Sequence, residues 1–282
     1  MIELIKKRVP IIPYTLFSIL VASAPFFLLN VEINYIHLFL SFFGMFILLV
    51  QMRILDDLQD AEIDKIAHKD RPFASGQISI NDGERIVGLF QLFIFIFSVI
   101  VFLGGSYTAF FFYLTSAVYI WNNYKGFYFE EWMKNHPIAA FVLGELVFFP
   151  IIFFCFALAD DTQAFGDLSI SYAFLLFSAL IIYDIARKLD PKAHPIVQNF
   201  VHLMGYRRVF FALMPILFVS SLITSSLGLS WILYPVQFAA FVALAGVLFS
   251  SLRWNFAASV TLISLFIHAA SPLLLYLFKI LK

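Results

Sequence analysis

The chain has 282 residues, with eighteen acids balanced by eighteen bases; 62% of it is hydrophobic and only 13% charged, at a mean hydropathy of +0.93. Soluble domains carry about a quarter charged residues, so this composition excludes a soluble globular protein, and a formal net charge of zero gives no basis for a nucleic-acid partner. Apolar runs of about 20 residues use up almost the whole length and leave no room for a separate soluble domain, so a single membrane domain over residues 1–282 is expected.

Residues 1–24 imitate a secretory leader, with Lys6, Lys7 and Arg8 ahead of an apolar stretch that reaches Ala22-Ser23-Ala24. Pro25 would follow the cut and the apolar stretch runs on to Leu29, so a retained first span is expected near 9–29. The second, near 34–55, runs into Asp56-Asp57-Leu58-Gln59-Asp60-Ala61-Glu62-Ile63-Asp64. On a helix, positions 56, 60 and 64 drift only about 40° per step; Asp57 falls in the same arc and Glu62 points away. Four carboxylates on one stripe repel one another unless a cation lies between them, and acidic oxygens are the ligands that Mg²⁺ prefers. The same run also fits a solvated acidic helix end. In the loop that follows, Lys69 and Arg71 lie a few residues past the acids, close enough to bind an anion that the acids reach only through a metal. Carboxylates, divalent metal and bases together describe a diphosphate site.

The third and fourth spans are expected near 84–104 and 106–122, the latter running into Tyr119, Trp121, Asn122, Asn123, Tyr124 and Lys125. These are candidates to bind substrate and shield a developing cation at the rim, and an interfacial aromatic belt accounts for them equally. The fifth, near 137–158, carries the single cysteine, Cys155, which excludes an internal disulfide, and Glu145. A charge there costs about 2.5–3.5 kcal/mol on insertion scales, so Glu145 is expected either to face a cavity, where it hydrogen-bonds an acceptor or takes its proton, or to be a protonated or paired structural residue. The sixth, near 168–187, ends in Tyr183-Asp184-Ile185-Ala186-Arg187-Lys188, and spans near 208–228, 231–250 and 254–278 complete nine. His136, His202 and His268 make no ligand set.

With the amino terminus cytoplasmic, sixteen of the eighteen bases fall on that side, leaving Lys279 and Lys282 outside. Adding or dropping one span scrambles this separation, so the positive-inside rule supports nine spans and that orientation. The expectation is an integral protein of a bacterial inner membrane, amino terminus inside and carboxyl terminus outside. Polar motifs close spans two and six, four spans apart, which fits a duplicated four-helix unit with the motifs facing each other across a central cavity.

Asp56-Asp57-x-x-Asp60-x-x-x-Asp64 resembles the first motif of the UbiA superfamily of intramembrane prenyltransferases, N-D-x-x-D-x-x-x-D, with Asp56 in place of Asn. Arg71-Pro72-x-x-Ser75-Gly76 is similar to that family's R-P-x-x-S-G loop, and the resemblance extends to nine helices and a second acidic motif after the sixth. It implies an all-α bundle of nine transmembrane helices around a central cavity, and transfer of a polyprenyl group from its diphosphate to a lipophilic, typically aromatic, acceptor, with Mg²⁺. By position, Asp56, Asp60 and Asp64 would hold metal with Asp57 in support, Asp184, as the first acid of the second motif, would also be a metal ligand, and Lys69 and Arg71 would hold the diphosphate. The chain departs where the second motif, D-x-x-x-D, has its second acid: Lys188 stands there, with Arg187 beside it and Asp190 beyond. Either the two bases contact the diphosphate directly or Asp190 swings in as a ligand.

Two other classes compete. A CDP-alcohol phosphotransferase needs a D-G-x-x-A-R motif, and Asp184-Ile185-Ala186-Arg187 lacks the glycine. A transporter predicts ionisable residues near mid-membrane in several spans, whereas Glu145 alone fits that description and the rest cluster at one face.

Overall fold

The computed structural model describes residues 2–281 apart from Gly105, Gln198, Ser251 and Leu252, and the described residues are helical with no strand. Lys282, one of the two bases expected outside, lies beyond them. Among the described residues, eight helical segments are long and apolar enough to cross a membrane, one of them Pro137–Ala159. The fourth expected span is also helical, α6, but its polar end, Trp121-Asn122-Asn123-Tyr124, makes it less apolar than the others. All nine expected spans therefore fall largely on helix, the fifth with a break at 146–147. In lipid this is required, since only a helix satisfies every backbone group within one segment.

Contacts divide the chain into two compact units. The first comprises residues 1–26 and 30–166, and holds α1 (Ile2–Arg8), most of α2 (Ile11–Leu28), α3 (Tyr35–Gln59), α4 (Ala61–Ala67), α5 (Ile80–Leu103), α6 (Tyr107–Tyr124), α7 (Glu130–Asn135), α8 (Pro137–Glu145) and α9 (Phe148–Ala159). Side chains start several of these helices. Asn34 accepts from the amides of Ile36 and His37 at the head of α3, and Ser79 accepts from the Asp82 amide while donating to its carboxylate at the head of α5. α6 packs on α5 and α9, and α3 packs on α5, α6 and α9, around the fully buried Met45, Leu48, Tyr113, Ile151 and Phe154. The buried Cys155 is part of that packing. The outer faces keep large apolar side chains exposed, such as Leu89, Leu92, Phe95 and Ile96 on α5, as a lipid-facing helix requires.

The fifth span is interrupted. α8 stops at Glu145 and α9 begins at Phe148, with Leu146 donating to the Leu143 carbonyl and Phe149 to that of Leu146 in tight i to i−3 bonds. Pro150 is the cause: it has no amide to give Leu146, and its ring clashes with that carbonyl. The Tyr119 hydroxyl also donates to the Leu143 carbonyl at 2.6 Å.

The second unit comprises residues 27–29 and 167–282, with α10 (Asp167–Arg187), α11 (Phe200–Ser226), α12 (Ser230–Phe249) and α13 (Trp254–Ile280). α13 packs on α10 and α12, and α11 packs on α10 and α12. α11 starts earlier than the seventh expected span because a short helix from Phe200 joins the spanning portion at Gly205, whose φ of +74° is helical for no L side chain. In α13, Pro272 leaves the His268 carbonyl without its usual amide, and the Ser271 hydroxyl donates to it at 2.8 Å.

Candidate active site at the end of the second span

The acidic stretch spans two helices that meet at Asp60, the cap between α3 and α4: the amide of Asp60 bonds the Asp56 carbonyl, that of Asp64 the Asp60 carbonyl, and that of His68 the Asp64 carbonyl, at 2.8–2.9 Å. The acids nonetheless have different surroundings. Asp56 and Asp60 are exposed, whereas Asp57 and Asp64 are buried, at 3% and 2% exposure. Each buried acid holds guanidinium. Arg8 grips Asp57 through two bonds of 2.6 and 2.7 Å, and Arg53, one turn back on α3, reaches the same carboxylate at 3.0 Å. Arg53 Nε also donates to the Arg8 carbonyl, so Asp57 is the centre of a clamp that fixes α1 to α3. Hydrogen bonding to Asp57 holds the Arg8 guanidinium above its ordinary pKa. Arg71 Nη1 reaches both oxygens of Asp64 at 2.7 Å.

That second pair anchors the loop. The Ser75 amide donates to the Arg71 carbonyl and the Ile78 amide to that of Pro72, folding 68–79 into successive turns, with Gly76 at φ +74°. Phe73 is buried beneath the loop, where Gly83 of α5 meets it so closely that a Cβ there would lie 2.7 Å from the Phe73 ring and 2.6 Å from Leu58. Lys69 is exposed, and Lys7 of α1 donates to Gln77 at 2.7 Å, so α1 touches both the acidic helix and its loop.

Asp56 lines a cavity of about 10 Å³, the size of one water, together with Met52, Leu55, Gln59, Ile120, Asn123, Tyr124 and Val147. The amide expected from α6 is therefore supplied by Asn123; Asn122, half-buried, is not among the lining residues. Lys125 rests its ammonium 4.7 Å from the Tyr124 ring and 5.1 Å from that of Trp121, a cation–π arrangement beside the cavity. Gly144 sits against the Asn123 amide, which brings half-buried Glu145 and the break in the fifth span to the same end of α6.

In the second unit, Asp184 at the end of α10 pairs with both Arg187 and Lys188, the latter at 2.5 Å. Lys188 also lies 5.9 Å from the Phe200 ring. Asp190 turns its carboxylate onto the Lys192 amide at 2.8 Å, and its carbonyl accepts from Asn199. The base at the second-motif position thus makes an internal ion pair, and Asp190 caps a turn.

Among the described residues no three acids, histidines or cysteines gather tightly enough to cage a metal ion. Mg²⁺ does not demand such a cage, because it is usually held by one or two carboxylates with water and substrate phosphates completing its shell. Asp56 and Asp60, acceptor-only and exposed on adjacent turns, fit that arrangement. Sequence reasoning missed Arg8, Arg53 and Gln59. Arg8 entered it as a charge of the leader-like segment and, with Arg53, as a positive-inside charge, and Gln59 stood unremarked within the acidic run.

Fold and site together define an integral-membrane helical protein that gathers acids, amides and bases where its membrane helices end. The chain belongs to the UbiA prenyltransferase family, whose model matches residues 11–275. Membership supports an intramembrane prenyltransferase with a prenyl diphosphate donor and a lipid-like acceptor. A solved structure of digeranylgeranylglyceryl phosphate synthase is similar over 94% of this chain and 95% of its own, with a TM-score of 0.56 at 15% identity, a likeness that shows the fold alone. No curated protein matches the chain.

Proposed function

We propose that the chain transfers a polyprenyl group from polyprenyl diphosphate to a lipophilic, aromatic acceptor, at the end of α3. The observation that supports this most is the convergence of Asp56, Gln59 and Asn123 on one small cavity with Lys125 beside it. In the reaction the allylic C–O bond breaks, its electron pair leaves with the diphosphate, and an electron-rich carbon of the acceptor bonds the prenyl carbon and then loses its proton. Lys69, Lys125 and the donors of Arg71 other than Nη1 neutralise the leaving oxygens. The rings of Tyr119, Trp121 and Tyr124 shield the prenyl cation, while Asn122 and Asn123 hydrogen-bond the substrates. Glu145, at the interrupted fifth span, takes the acceptor's proton.

Mg²⁺ held by Asp56 and Asp60 would supply further neutralisation of the diphosphate as it leaves. Asp57 and Asp64 act through their arginines, fixing α1 and the 68–79 loop around the site. Arg187 and Lys188, poised on Asp184, offer fixed cations in place of an acid-held second ion. The test is to incubate the purified protein in lipid discs with radiolabelled polyprenyl diphosphates and a membrane lipid extract, and to identify labelled products by mass. A labelled aromatic lipid is expected. A labelled glycerol phosphate would overturn the acceptor class, and the absence of any transfer would overturn the activity.

A further inference from the structure

An open groove of about 360 Å³ is lined by Leu217, Phe218 and Ser221 of α11 and Tyr234, Gln237, Phe238 and Phe241 of α12. Its volume falls within the range of about 300–1,000 Å³ found for small-molecule sites. Phe218 and Phe238 are each 66% exposed on the outer faces of these spans, so the opening looks into lipid. The walls are aromatic and aliphatic. The polar part of the lining, its floor, is Ser221, Tyr234 and Gln237, of which Gln237 is only 6% exposed.

Hydrogen-bond accounting at that floor specifies a ligand. The Gln237 amide nitrogen has two protons and three partners facing it: Thr224 Oγ1 at 2.8 Å, Ser220 Oγ at 3.1 Å and His268 Nε2 at 3.2 Å. Its donors are therefore committed inward. Gln237 Oε1 accepts from the Ser221 hydroxyl at 3.0 Å, a proton that Ser221 also directs to the Leu217 carbonyl at 2.9 Å. What remains toward the cavity is acceptor capacity, on Gln237 Oε1 and Ser221 Oγ, because a carbonyl or hydroxyl oxygen carries two lone pairs. One donor complements them: the Tyr234 hydroxyl, whose partner, the Ser221 carbonyl, lies at 3.5 Å, the outer limit of a bond. A group that donates once and accepts once on an apolar body satisfies this floor, and a hydroxyl is that group. A carbonyl has nothing to give the two acceptors, and no charged side chain lines the cavity to hold a phosphate or an ammonium.

We propose that the groove between α11 and α12 is a binding site for a lipophilic alcohol taken from the bilayer, whose hydroxyl donates to Gln237 Oε1 or Ser221 Oγ and accepts from Tyr234. The site is built wholly within the second unit, from residues that the acidic motif and its loop do not use, so it stands whatever the acceptor of prenyl transfer is.

The probe is a sixteen-carbon alcohol bearing a diazirine in its chain, compared with its methyl ether, each photo-crosslinked to the full-length protein in lipid discs and located by peptide mass spectrometry. The alcohol should label residues 217–241 about fivefold more than the ether, the worth of one neutral hydrogen bond. Tyr234→Phe should bring the alcohol down to the ether's level, and Ser221→Phe should fill the cavity and abolish labelling there while leaving labelling of α5 unchanged. Tyr234→Phe removes one hydroxyl with a long bond and keeps the ring, so it reports even where the bulkier variant fails to fold. Equal labelling by alcohol and ether would mean ordinary lipid contact and overturn the proposal, as would labelling confined to other helices.

Discussion

Asp57→Ala separates a structural acid from its chemical neighbour. The Asp57 side chain is 4% exposed and holds two guanidiniums, those of Arg8 and Arg53, which are 16% and 23% exposed. Removing one partner of a buried pair costs about 3–5 kcal/mol, because the other is left uncompensated. Here both arginines keep some access to water, which brings the expected loss down to about 2–3 kcal/mol. Asp56→Ala removes an exposed carboxylate and should cost under about 1 kcal/mol. The assay is the apparent midpoint of thermal denaturation in detergent, followed by size-exclusion of heated samples. A drop of about 5 °C or more is expected for Asp57→Ala and a much smaller one for Asp56→Ala. Below both midpoints the order should invert, with Asp57→Ala retaining prenyl transfer and Asp56→Ala losing it. An unchanged midpoint with abolished transfer in Asp57→Ala would refute the clamp and put Asp57 in the chemistry.

Gly83→Ala pushes a methyl to within 2.6 Å of Leu58 and 2.7 Å of Phe73, both buried, and should destabilise the protein by about 1–3 kcal/mol, read from the same midpoints. Arg187→Ala should raise the KM for prenyl diphosphate and the Mg²⁺ concentration needed for half-maximal rate; an unchanged metal titration would make these bases ordinary positive-inside residues. A cysteine at exposed Gly76 should be protected from an impermeant thiol reagent added to intact cells and labelled after lysis, and labelling before lysis would reverse the orientation.

The spans were legible because apolar length alone marks them; the caps Asn34, Ser79 and Asn199, which stand directly before the helices they start, were not read. The break at Glu145 was not read, although Pro150 signalled it, since a hydropathy window passes over a proline in an apolar run. The acidic stripe was legible as helical, but neither the break at Asp60 nor the division of labour among its acids was. Asp57 meets Arg8 across 49 residues of sequence, and no local periodicity reports such a contact. The same holds for His268, solitary in sequence and joined to Gln237 of the preceding helix through a buried polar network.

The most direct measurement is binding of radiolabelled prenyl diphosphate to the purified protein in lipid discs, with Mg²⁺ or with EDTA, for the wild type and Asp60→Asn. Tight binding by the wild type that EDTA abolishes, and weak, metal-insensitive binding by Asp60→Asn, is the expected result. Equal affinity in all four conditions would contradict a diphosphate site at the end of the second span.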